Sequence, residues 1–145
     1  MNMDHWTIFK DSATLILTGS AALIAAVGYK RNANTRRAEF LYDLHKSFFE
    51  ESTYKEVRRV LDESPEKSAA RCAEFVTEEP EAFTDFLNYF ELVAYLHKRG
   101  NLSTEDVKAL LGYYLGLLKN NLAIRGYIRD EKHGFEELNR LLDII

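Results

Sequence analysis

Ser12 to Arg37 reads SATLILTGSAALIAAVGYKRNANTRR, and this stretch decides the architecture. From Ser12 to Tyr29 there are 18 residues without a charge, dominated by Ala, Leu, Ile and Val. As a helix the run is about 27 Å long, close to the roughly 30 Å of a bilayer's hydrocarbon core. Trp6 precedes it and Tyr29 closes it, where interfacial aromatics sit. Ile8 and Phe9 extend its apolar length. The expectation is a transmembrane helix at 12–29. The alternative is a buried helix of a soluble protein.

The flanks orient the helix. Asp4, Lys10 and Asp11 precede it, whereas Lys30, Arg31, Arg36 and Arg37 follow it within eight residues. Positive residues stay in the cytoplasm, so residues 1–11 are expected outside and 30–145 inside, at the inner membrane. A secretory signal would carry its positive charge first, so the segment stays uncleaved. The four cations are expected at the membrane surface, against anionic headgroups.

One face of this helix differs from the rest. Thr7, Asp11, Thr14, Thr18, Ala21, Ala22 and Ala25 recur at spacings of three and four. In lipid, small and hydroxyl side chains let helices approach closely and bond across the contact. The seam therefore points to self-association, with Thr14 and Thr18 lining a narrow pore and Asp11 forming an acidic outer ring. The plainer alternative is that each hydroxyl bonds its own backbone while facing lipid.

Beyond residue 30 the pattern is that of a helical domain. The chain has 145 residues, with only 7 Gly and 2 Pro to break it. Phe40, Leu41, Leu44 and Phe48 continue the first helix without a break. Further helices are expected from Ser52, over Ser68–Glu78, from Pro80 to about Arg99, from Ser103, and over Phe135–Ile145. Ser103 with Asp106 forms a variant capping box, and Gly100 caps the helix before it. Tyr127 and Ile128 fall in a less regular stretch. The expected fold is all-α: an N-terminal transmembrane helix, then a cytoplasmic bundle of about five helices.

Chemistry is not legible. A single cysteine, Cys72, excludes a disulfide framework and any Cys-built metal site. The four His lack ligand spacing, and no phosphate loop, nucleophile elbow or zinc motif occurs. No catalytic residue, metal or cofactor is expected, and the chain is not read as an enzyme. The net charge of −4 excludes a bulk-basic nucleic-acid binder. One basic cluster, Lys55, Arg58 and Arg59, is the candidate anion site, which symmetry would multiply in a ring. The alternative is a solvated face neutralised by Glu51, Glu56, Asp62 and Glu63. Arg125 and Arg129 make a second i,i+4 pair.

A resemblance covers roughly residues 30–130. It rests on Thr35-Arg36-Arg37-Ala38-Glu39-Phe40-Leu41 with Asp43-Leu44, on Tyr54, Val57-Arg58-Arg59 and Leu61-Asp62, on Phe86 to Leu96, and on Arg99-Gly100-Asn101-Leu102-Ser103. These segments resemble a bacterial family of small membrane-anchored helical proteins, a domain of unknown function. The resemblance implies one N-terminal anchor and a cytoplasmic bundle, and is nearly silent on activity. In layout, though not in residues, the chain is also similar to membrane effectors of two-gene anti-phage systems, including Hailong-type channel subunits. Two functions are expected in turn. One is an oligomeric membrane effector conducting ions under control of its cytoplasmic domain. The other is a passive anchored scaffold. The implied partners are copies of the chain, the lipid bilayer, and a cytoplasmic nucleotide, single-stranded nucleic acid or protein.

Overall fold

The computed structural model describes residues 3–78 and 80–145, without the side chains of 3–17, 19, 21, 22, 65 and 66. Among the described residues there are seven α-helices, one 3₁₀ turn and no strand. In chain order they are α1 (Met3–Glu50), α2 (Ser52–Leu61), α3 (Pro65–Glu78), α4 (Glu81–Lys98), α5 (Thr104–Asn120), α6 (Leu122–Arg129), the 3₁₀ turn (Glu131–His133) and α7 (Glu136–Ile144). The all-α expectation holds. Among the described residues no helix is long and apolar enough to cross a membrane. Half of the expected span at 12–29 lies outside the side chains described, and the transmembrane helix is not shown.

The chain divides into two units, the first ending at Asp43 and the second spanning Leu44–Ile145. In the first, α1 is unbroken and its side chains from Leu23 to Phe40 are all exposed. The second has a continuous core. Phe48, Phe83, Phe86, Phe90, Leu115, Leu118, Ile124 and Leu142 are fully buried. Burying each contributes about 1.5–3 kcal/mol.

Local chemistry sets the helix ends. Ser103 Oγ accepts from Asp106 N at 3.1 Å while Asp106 Oδ2 accepts from Ser103 N at 2.8 Å, so the expected capping box is present. At the end of α4, Gly100 N donates to His97 O at 2.9 Å and Asn101 N to Leu96 O at 3.0 Å. That Schellman closure places Gly100 at φ +74°, a conformation glycine adopts without strain. Gly134, at φ +77°, breaks the chain before α7 where His133-Gly134 signalled it.

One expectation is corrected. Tyr127 and Ile128 are not in an irregular stretch but on α6, which brings the α-helices described after α1 to six where about five were expected. The Asn121 side chain restarts the helix by accepting from Ile124 N at 3.1 Å. Ile124, Tyr127 and Ile128 then bury one face over only eight residues. Buried Arg125 reaches Asn139 Oδ1 at 2.6 Å and the Asp143 carboxylate, tying α6 to α7.

Candidate functional site

The first unit presents an apolar-to-basic transition on α1. Leu23, Ile24, Val27 and Tyr29 are 69, 73, 65 and 79% exposed. Lys30, Arg31, Arg36 and Arg37 follow, all exposed. Of the expected seam, Thr18 and Ala25 are exposed, and the side chains of Thr7, Asp11, Thr14, Ala21 and Ala22 lie outside those described. Thr35 Oγ1 donates to Arg31 O at 3.1 Å, the self-satisfying arrangement open to any helical threonine.

The second unit begins where α1 gains partners. Phe48 is fully buried and ringed by Tyr54, Phe86, Tyr89, Phe90 and Tyr114, with centroids 5.1–6.1 Å away. Tyr89 donates its hydroxyl to Leu44 O at 2.8 Å. Arg58, on α2, donates to Phe48 O and to Phe49 O, the latter at 3.1 Å. Its guanidinium also sits 5.2 Å from the Phe48 ring centroid and 5.6 Å from that of Phe49. The last turn of a helix exposes carbonyls without helical partners, and here a cation supplies the missing donors.

This geometry divides the basic cluster. Arg58 is buried and committed to the end of α1, so its guanidinium is not available to a ligand. Lys55 and Arg59 are exposed, and Arg59 lies 3.8 Å from Glu56. Arg71 reaches Glu56 and Glu63, each at 3.8 Å. Asp62 accepts from the Tyr114 hydroxyl at 3.2 Å. The three cations therefore do not converge on one site. In the second pair Arg125 is buried and Arg129 exposed, so those do not converge either.

Two tertiary features had no signal in the sequence. Glu91 of α4 accepts from Glu137 N at 3.1 Å and from Leu138 N at 2.7 Å, capping α7 from 46 residues away. An open groove of about 600 Å³ lies over Leu61, Ser68, Ala69, Leu117 and Leu122. Leu122 stands 89% exposed at its edge. Groups for catalysis do not gather there. Cys72 is buried beside Ser68, and burial pushes its thiol pKa up, away from the reactive thiolate. Among the described residues no group of three His, Cys, Asp or Glu could hold a metal ion.

No curated protein and no solved structure matches the chain. A family model, the domain of unknown function DUF4760, matches residues 15–131. That match runs from within the charge-free stretch of α1 to the 3₁₀ turn beyond α6, and on it this chain belongs to the DUF4760 family.

Proposed function

We propose that the chain is a single-pass membrane effector that assembles with copies of itself through α1, holds residues 30–145 in the cytoplasm, and conducts ions under control of that domain. The observation that carries this reading is the exposure of Leu23, Ile24 and Val27 directly before four cations. Large apolar side chains left in water forgo about 1.5–3 kcal/mol each. Lipid, or a neighbouring α1, removes that deficit. The hydroxyls and alanines of the Thr7–Ala25 seam suit close helix approach, and Thr14 and Thr18 would line the conducting path.

The test combines alkaline carbonate extraction of membranes, light-scattering mass of the detergent-solubilised chain, and ion flux from reconstituted vesicles. The expected result is a carbonate-resistant closed oligomer whose flux changes in Thr14→Leu or Thr18→Leu. A monomer released by carbonate would overturn the reading as a whole.

A second reading is an anchored module that recruits a partner without conducting, and the open groove edged by Leu122 favours it. It expects an unrelated membrane helix to replace residues 8–29 without loss. A defined oligomer with no flux would leave this reading in place of the first.

A further inference from the structure

The placement of the cations on α1 goes beyond orientation. At about 100° per residue, Arg31, Arg36 and Arg37 lie about 100°, 240° and 340° around the helix from Lys30. The four therefore surround the axis instead of lining one face. They span about 10 Å of rise, and no acid lies between Asp11 and Glu39. A helix lying flat on a surface gathers its cations on one side. A helix crossing the surface meets headgroups on every side, through a layer of about 5–8 Å. Tyr29, 79% exposed, stands at the join between the apolar and charged stretches.

We infer that Lys30, Arg31, Arg36 and Arg37 form a collar that binds anionic phospholipid headgroups around α1. The collar rests on the membrane reading above and names the lipid class that the anchor selects. Nucleic acid fits less well, because a helix docked on a duplex or strand presents its cations on the contacting side alone.

The test uses the full chain reconstituted in mixed phosphatidylcholine and phosphatidylglycerol vesicles, beside the variant carrying Lys30→Gln, Arg31→Gln, Arg36→Gln and Arg37→Gln. Mild detergent extraction followed by lipid analysis reads the retained headgroups, and alkaline carbonate reads insertion. The expected result is retention of phosphatidylglycerol over phosphatidylcholine by the parent chain. The variant stays carbonate-resistant but loses that preference. Each single Gln substitution weakens the preference about fivefold, and added salt weakens it further.

An inserted parent chain that retains both lipids in the proportion supplied overturns the collar and leaves the anchor standing. A parent chain released by carbonate that still binds anionic vesicles through these cations overturns the anchor and, with it, the collar, because headgroups surround the helix only where it crosses the surface. Binding to neither vesicle type overturns the collar, as does preference for a single-stranded RNA oligonucleotide over anionic vesicles.

Discussion

Arg58 shows how far a residue's role departs from its composition. Beside Lys55 and Arg59 it reads as part of a charged patch, because sequence distance is all a patch is judged by. Its two carbonyl partners lie nine and ten residues earlier, at the end of another helix. Burial at 9% exposure then converts a surface cation into a structural donor. Charged donors to buried acceptors are worth about 1.5–3 kcal/mol each. Arg58→Met is therefore expected to lower stability by about 2–4 kcal/mol, read as a reduced urea midpoint at unchanged slope. Arg58→Lys restores only part of this, since one ammonium does not reproduce the planar fork. The aromatic ring around Phe48 adds a pH response. Burial, helped by the Asp62 carboxylate, pushes Tyr114 up to about 12, and burial raises Tyr89 as well. An unfolded tyrosine ionises near 10 and so releases its proton first as pH rises. Stability is thus intact below about pH 10 and declines towards about pH 12, where the folded phenol ionises too. Thermal melts across this window are expected to show a shallower decline in Tyr114→Phe.

At the scale of elements, legibility follows the distance over which a cap is made. The Ser103–Asp106 box closes within three residues, and Gly100 closes α4 with its own last turn, so both were readable. The start of α7 was not. Its N-cap residue, Phe135, has no side-chain acceptor, and Glu91 supplies one from α4. Lys98 reinforces the same junction by meeting Glu137 at 2.6 Å, which lowers the Glu137 pKa. No local pattern announces an acceptor so far off in the chain. Glu91→Ala is expected to cost about 1–2 kcal/mol. Hydrogen exchange should quicken first at the Glu137 and Leu138 amides, while the α5 amides keep their protection. Equal acceleration throughout would mean that Glu91 supports the bundle generally and not α7 in particular. α6 was missed for a related reason: eight residues are too few for periodicity to show, and a buried Arg125 disguises its inner face.

At the scale of the molecule, the sequence divided the chain by hydropathy, at residue 30, whereas packing divides it at Leu44. Hydropathy marks where apolar side chains cease to be continuous. Packing marks where they find partners, and between Leu23 and Phe40 every α1 side chain is exposed. The last turns of α1 belong to the second unit because Leu44 and Phe48 are in its core and three side-chain bonds from α2 and α4 hold their carbonyls and that of Phe49. Two truncations separate these boundaries. A chain starting at Arg31 keeps Phe48 with its partners and is expected to melt as one cooperative unit. A chain starting at Ser52 loses a ring whose removal alone costs about 3–5 kcal/mol, and leaves Arg58 and Tyr89 without their acceptors. Domains of this size hold only about 5–15 kcal/mol in all, so the shorter chain is expected to lose near-ultraviolet dichroism and cooperative melting. If it melts at the temperature of the longer one, α1 is an appendage to the bundle. If it does not, the last turns of α1 are part of the core of the second unit, which the proposed control of conduction by that domain requires.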